Sequence, residues 1–352
     1  MKLPNRPDHH KLAFTLAAHF PDYRKNQLEL LVLMVFALIQ AQTVRHAKLA
    51  ERFPGTANFE SVIRRIERFF HSFPISQADI VPLVLACLPA KTKLTFILDR
   101  TNWQLGQTHV NVLVLSVLYQ TTSIPLLWEF LPHGGCSNQT NRIDLLEDLL
   151  SVLPVERIEC VLADREFIGQ PWFEFLIRQQ IGLCIRLRDN TGTDLGNVKT
   201  CFEALESGCE VVVYGVSLNV MAVLSADKQR VVVASNLPVR EILRAYKLRF
   251  RIECMFRFLK SKGFRWEDTH MMLHDRLDRL VCLLVIVYVW CVLIGSQRSI
   301  RRNKYERLVR ARFGLGLSLL TRAFCQVEEV LDGFIKLLLD AFSGIHVETV
   351  GY

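Results

Sequence analysis

No Cys-x-x-Cys pair occurs in the 352 residues, and the ten cysteines stand singly between Cys87 and Cys325. That scatter excludes a zinc ribbon and a disulfide framework and suits a reducing cytosol. The opening residues, Met-Lys-Leu-Pro-Asn-Arg-Pro-Asp-His-His, lack the apolar core of a secretion signal. A full membrane-spanning run is missing as well. The one membrane-like stretch, Leu280 to Ile294, has 15 residues, fewer than the roughly 20 that cross a bilayer. A buried helix, a cytoplasmic chain and no membrane partner are therefore expected. There is no internal repeat and no low-complexity tract.

What is present is a globular composition, half apolar and 22% charged, in a chain long enough for two or three domains. The net charge of +8 is unevenly spread. Residues 1–90 carry 11 basic against 7 acidic side chains, residues 91–240 carry 13 against 16, residues 241–312 carry 17 against 7, and the remainder 2 against 5. Two basic regions flanking a slightly acidic middle suit a polyanion held beside a carboxylate-bearing core. A basic surface that is merely solvated would show the same balance.

Residues 26–42 are apolar at helical spacing. Val44–Phe53 and Phe59–Phe73 follow as shorter helices, separated by the turn sequence Pro54-Gly55-Thr56-Ala57-Asn58. The second carries Arg64, Arg65 and Arg68 on its polar side. A short helix, a turn and a basic helix fit a helix-turn-helix that enters a DNA groove, and equally a plain helical bundle. From Lys93 the period changes. Strands are expected at 94–98 (ending at Asp99), 110–119, 124–130, 158–163 (ending at Asp164) and 182–187, with helices at 143–153 and 172–180. Three strands, helix, strand, helix, strand is the order of a ribonuclease-H-like α/β core. Within 189–239 the short strands 211–214, 217–224 and 231–234 predict a β-rich insertion. The expected domains are thus 1–90, helical and DNA-binding; 91–188, the first part of the core; 189–239, the insertion; 240–295, the final part of the core; and 296–352, a C-terminal helical region.

Asp99 and Asp164 each follow an apolar strand. If those strands are neighbours, both carboxylates emerge at one sheet edge, where two close Asp side chains are costly unless a cation neutralises them. Either residue alone could simply end its strand. Between Arg244 and Arg265 there are eight basic residues and one acid, Glu253. On a regular helix Tyr246, Arg249, Glu253 and Lys260 fall within about 60° of arc, beside an apolar stripe of Leu248, Ile252, Met255, Phe256 and Leu259. A structural salt-bridge row accounts for Arg249 and Glu253 but not for Tyr246 or Lys260.

The spacing Tyr246-x2-Arg249-x3-Glu253-x6-Lys260 resembles the signature of a group of bacterial insertion-sequence transposases, the large fourth family within the DDE class. Leu162-Ala163-Asp164-Arg165-Glu166-Phe167 resembles that family's second-Asp motif, and Leu98-Asp99-Arg100-Thr101-Asn102-Trp103 its first. The likeness covers roughly residues 93–275, including Gly134–Leu150, is weaker over the N-terminal helices, and has no motif after about residue 296. It implies a transposase that binds the inverted-repeat ends of its element and excises it. Asp99, Asp164 and Glu253 would hold two Mg2+ ions about 3.5–4 Å apart, with Asp99 bridging both and Mn2+ able to substitute. Tyr246, Arg249, Lys260 and Arg165 would hold phosphates of double-stranded DNA, terminal repeats and target alike, in a homodimeric synaptic complex. Some members flip a base onto a Trp late in the insertion. The comparable stretch here, Arg230–Asn236, has no aromatic, which leaves Trp266 or Tyr214 to stack an extruded base.

Other signals carry less. His270 and His274 have metal-ligand spacing on a helix, but no Glu follows His270 as a zinc-protease motif requires. His133-Gly134-Gly135-Cys136 is expected as a turn. The run Arg298, Arg301, Arg302, Lys304, Arg307, Arg310, Arg312 suits terminal DNA or solvent. Two other functions fit the same residues: a structure-selective nuclease, and an inert DNA-binding descendant of a transposase. The Tyr-Arg-Glu-Lys spacing argues against the first and retention of all three carboxylates against the second.

Overall fold

The computed structural model describes residues 9–17, 20–105, 107–202, 208–224, 228–297, 312–326 and 328–342. The chain forms two compact units, one of Lys91–Cys254 and one of Met1–Ala90 with Met255–Tyr352.

The helical unit begins with α1 (His9–Leu16), α2 (Lys25–Ala41), α3 (His46–Arg52), α4 (Phe59–Ser72) and α5 (Gln77–Ala86). In α4 the apolar residues Val62, Ile66, Phe69 and Phe70 recur at helical spacing and are buried. Asn58 starts this helix, its side chain accepting from the Ser61 amide at 2.8 Å.

The sheet unit holds β1 (Leu94–Leu105), β2 (Thr108–Tyr119), β3 (Thr122–Leu131), α6 (Gln139–Val152), β4 (Ile158–Ala163), α7 (Gln170–Arg178) and β5 (Gly182–Arg186). After these come β6 (Gly192–Thr193), β7 (Gly196–Asn197), α8 (Val198–Cys201), β8 (Cys209–Val213), β9 (Val216–Leu224), β10 (Arg230–Ser235) and α9 (Val239–Leu248). The strands lie in the order β3-β2-β1-β4-β5-β10-β9-β8-β6-β7. β1 pairs in parallel with β4, and β4 in parallel with β5; the other pairings are antiparallel. The segment expected as a β-rich insertion supplies β6–β10, and these continue the same sheet beyond β5. β2 is buried along nearly its whole length, as expected of a strand covered on both faces. β9 alternates buried and accessible residues and has one solvated face. At the β8–β9 hairpin Tyr214 and Gly215 both take positive φ, 51° and 77°, the combination of a type I′ turn.

The chain passes from one unit to the other within α10 (Phe250–Arg257). The helical unit then continues with α11 (His274–Ser296), α12 (Arg312–Gln326) and α13 (Glu328–Phe342). α11 has 23 residues and by length and composition is apolar enough to cross a membrane, yet 89% of its most apolar stretch is buried inside the protein. Asp275, Arg276, Asp278 and Arg279 occupy its first turns, ahead of the apolar run Leu280–Ile294. α11 packs against α2, α4, α5, α12 and α13. Arg279 closes the C-terminus of α4, donating to the carbonyls of Phe73 at 2.7 Å and Phe70 at 3.2 Å. Against α12 the backbones come so close that a Cβ at Gly316 would overlap the Cys291 carbonyl, and one at Gly295 that of Arg312.

Candidate active site

The parallel register of β1 and β4 runs Phe96↔Val161, Ile97↔Leu162, Leu98↔Ala163. One residue further along the chain come Asp99, still on β1, and Asp164, just past the end of β4. Adjacent strands lie about 4.8 Å apart and residues in register point to the same face, so the two carboxylates leave the sheet abreast. β4 stops at Ala163, whereas β1 continues to Leu105 with Asp99 opposite Val114 of β2. The expected strand end at Asp99 is therefore wrong. Thr101 and Trp103 remain buried while Asn102 and Gln104 are exposed, and pairing with β2 carries the strand on. The gap lies at the carboxyl end of β4, where ligands of parallel strands are received.

Helices α9 and α10 bring the third carboxylate. Tyr246 donates its hydroxyl to Asp164 Oδ1 at 3.3 Å. Arg249 donates Nη1 to Asp99 Oδ2 at 3.4 Å and Nη2 to Glu253 Oε1 at 2.5 Å, while its guanidinium lies 5.8 Å from the Tyr246 ring centre. Arg186 at the end of β5 approaches Asp164 Oδ1 to 3.9 Å. The five side chains Asp99, Asp164, Tyr246, Arg249 and Glu253 thus share one neighbourhood.

The regular helical wheel does not hold over the whole motif. Arg249 separates α9 from α10, and the amides of Arg249 and Ile252 each bond three residues back instead of four. Phe258–Lys262 then widens into a π-turn, a distortion common at functional sites. Lys260, in that turn, belongs to the helical unit, and its ammonium is held 2.7 Å from Glu267 with 16% of the side chain exposed.

Burial pushes the Asp99 carboxyl up to about 6; the Arg100 amide and Arg249 pull it down, and Asp164 and Glu253 push it further up. Tyr246 is raised to about 12, first by burial and then by Asp164, against the pull of Arg249. Burial lowers Arg249, but Tyr246 and the three carboxylates outweigh it and the guanidinium stays charged. Among the described residues no three His, Cys, Asp or Glu side chains converge on a metal-sized point. The Arg249 guanidinium bonds both Asp99 and Glu253 and balances their charge. The donor set, three carboxylates without thiolate or imidazole, is what a hard divalent cation takes.

A second layer fixes the two Asp-bearing segments. Arg100 grips Glu166 with a two-pronged ion pair, Nε to Oε1 at 3.0 Å and Nη2 to Oε2 at 3.2 Å. Its third nitrogen donates to Asn111 Oδ1 at 2.9 Å, and Asn111 donates in turn to the carbonyls of His133 and Gly135. Buried Arg142 donates to the carbonyls of Glu166, Ile168 and Ser137. Arg100, Asn111, Arg142, Glu166 and Arg186 had no assigned role in the sequence. Arg100 and Glu166 were nonetheless legible as opposite charges just past the two aspartates.

Arg165 is exposed, its carbonyl accepting from Arg188 at 2.8 Å. Arg64 and Arg68 are exposed on α4, whereas Arg65 lies 5.5 Å over the Phe53 ring. Trp266 is buried at 1% exposure and presents no free stacking face, whereas Tyr214 is half-buried, with its ring in a T-shaped contact with Phe173. His270 precedes α11 in a non-helical segment, so the expected helical pairing with His274 does not form. Cys136 is exposed in the loop after β3. Of the late basic run only Arg312 lies within the described residues.

Among solved structures, the chain is similar to a piggyBac transposase, seen by cryo-electron microscopy in a synaptic complex with hairpin DNA. The TM-score is 0.47 at 11% identity, over 98% of this chain and 86% of that one. No curated protein sequence matches. The family model described as Transposase DDE domain matches residues 90–290, a span that contains the three carboxylates and their support, and the chain belongs to that family.

Proposed function

We propose that this chain is an insertion-sequence transposase that binds the inverted-repeat ends of its element and catalyses divalent-metal-dependent DNA cleavage and strand transfer. The observation that carries the reading is the register Leu98↔Ala163, which sets Asp99 beside Asp164, together with the Arg249 bridge from Asp99 to Glu253. Strand order β3-β2-β1-β4-β5, antiparallel on one side of β1 and parallel on the other, supports a ribonuclease-H-like core.

Asp99, Asp164 and Glu253 are the residues that would hold Mg2+, or Mn2+ in its place. Bound there, such an ion would supply Lewis-acid activation of a water or 3′-hydroxyl and charge stabilisation of the leaving oxygen. The protein's own groups orient the site. Tyr246 fixes Asp164 through its hydroxyl, and Arg100 with Glu166 fixes the segments on which both aspartates stand. Arg249 is a permanent cation, and once its carboxylates are engaged elsewhere it is positioned to take a DNA phosphate. Because two DNA ends must be paired before joining, the working form is a homodimer on double-stranded DNA.

Asp99→Ala, Asp164→Ala and Glu253→Ala should each abolish Mg2+-dependent cleavage of an end-bearing duplex while binding of that duplex persists. Cleavage near the parental rate in any one variant removes that residue from the catalytic set. Cleavage without joining of the ends in the parental protein would make it a nuclease instead. Sequencing the DNA around the gene should show inverted repeats bracketed by a short direct duplication.

A further inference from the structure

The polar face of α4 is not a free convex surface. It forms one wall of an open cleft of about 1460 Å³ within the helical unit, and the segment from Asp268 to Arg276 forms the other. On the α4 side stand Arg64, Arg68 and His71, with Glu67 between them. On the opposite side stand His270, Met272, Leu273 and Arg276. The start of α3 contributes Arg45, which is tied to Asp268 at 3.1 Å, and His46, which stacks on Phe70 at 5.2 Å.

Three properties of the lining bear on what it takes. Arg64 and Arg68 are exposed, one helical turn apart, and form no ion pair among the described residues. The arginines lining the cleft outnumber its two acids, Glu67 and Asp268, and one of those acids is already engaged by Arg45. Met272 and Leu273 are 54% and 56% exposed, an adjacent apolar pair at the lip. Guanidinium groups on facing walls suit a phosphodiester backbone, and exposed Met and Leu side chains beside them suit deoxyribose and base edges.

We propose that this cleft clamps the backbone of duplex DNA, with Arg64 and Arg68 on one wall, Arg276 on the other, and Met272 and Leu273 against the sugars. The site extends DNA recognition from the basic helix α4 to residues C-terminal of the catalytic helix, a stretch not associated with binding from sequence. It rests on the reading of the chain as a DNA-processing enzyme.

The test is fluorescence anisotropy of the full-length protein with a labelled duplex taken from the DNA flanking the gene, titrated over NaCl without divalent metal. Arg64→Ala and Arg276→Ala should each weaken binding roughly fivefold at physiological salt and lower the log–log salt slope by about one. Arg276→Lys should restore that slope, because the charge returns. Met272→Ala with Leu273→Ala should weaken binding and leave the slope unchanged. If Arg276→Ala matches the parental protein while Arg64→Ala is weakened, α4 binds alone and the two-walled clamp is wrong. If both match the parental protein, DNA binds elsewhere. Neither outcome touches the carboxylate site, whose failure would appear only as cleavage surviving in the aspartate and glutamate variants.

Discussion

One charged cluster in each unit is held in an opposite way. Around the carboxylates of the sheet unit the charged groups are sunk and paired: the Arg249 and Asp99 side chains are 14% and 17% exposed and touch one another, and Arg100 is locked to Glu166. In the helical unit Arg64 and Arg68 are exposed and face a cleft. A buried ion has no solvent to fall back on, so its partners dictate geometry, and loss of one partner strands the other. An exposed guanidinium contributes little to folding and keeps its charge for a ligand. Substitution in the sheet unit should therefore move metal affinity and stability together, while at the α4 wall only binding should move.

The largest contrast is expected between two arginines of the sheet unit, Arg100 paired with Glu166 and Arg249 paired with Asp99 and Glu253. Arg100 holds the Asp-bearing segments in place, so Arg100→Ala or Glu166→Gln should cost about 10–100-fold in metal affinity, as loss of outer-layer support does. Arg249 instead occupies the space between Asp99 and Glu253. Arg249→Ala should tighten Mn2+ binding in the absence of DNA, because a competing cation has gone. Mn2+ titration followed by electron paramagnetic resonance reads both. Equal losses in the two variants would make Arg249 a support and not a competitor.

Next in size is the cost of ionising Asp99. Its folded pKa, about 6, lies above the roughly 3.9 of an unfolded Asp. Between those values the native state binds the extra proton, so this residue's contribution to stability falls as pH rises from 4 through 6. Asp99→Asn should remove that fall. The variant should be roughly 2 kcal/mol more stable than the parent above pH 7 in metal-free buffer and indistinguishable from it near pH 4. Added Mg2+ should raise the parental Tm more at pH 7.5 than at pH 5, since only the ionised carboxylate is a good ligand. Denaturant melts at the two pH values check this, and a parental advantage at pH 7.5 without metal would show that Asp99 is not held against its ionisation.

The carboxylate neighbourhood was legible because its elements are local: an apolar strand then Asp, twice, and a helix with one Glu among bases. That the two Asp-bearing strands are neighbours was a condition of that reading, and the pairing of β1 with β4 meets it. What escaped depends on long-range pairing. The joining of β10 to β5 through Val233↔Arg186 leaves no local mark, so the place of the 189–239 strands at the edge of the core sheet could not be read from sequence. The strand continuing past Asp99 was hidden because polar residues at 100, 102 and 104 resemble a strand's end. A uniform helical period could not anticipate the irregularity at Arg249 or the π-turn that takes Lys260 to Glu267. The cleft was invisible for the same reason as β10, since its second wall, Asp268–Arg276, is far along the chain from the first on α4.

The smallest effects separate two glycines of the helical unit that sequence treats alike. Gly316 in α12 lies against α11, where a Cβ would overlap the Cys291 carbonyl, a backbone atom with no side-chain freedom to retreat. Gly333 in α13 is exposed, with nothing within 4 Å of a Cβ built there. Helix propensity alone favours Ala over Gly at both by about 0.5–1 kcal/mol. At Gly316 the forced separation of two packed helices should outweigh that gain, for a net loss of about 1–3 kcal/mol. At Gly333 nothing opposes it, so Gly333→Ala should be the more stable protein by a few tenths to 1 kcal/mol. Thermal melts of the two single variants decide it: a stabilised Gly316→Ala would mean that α11 and α12 can move apart at little cost. The central helix would then be less tightly gripped than its burial implies.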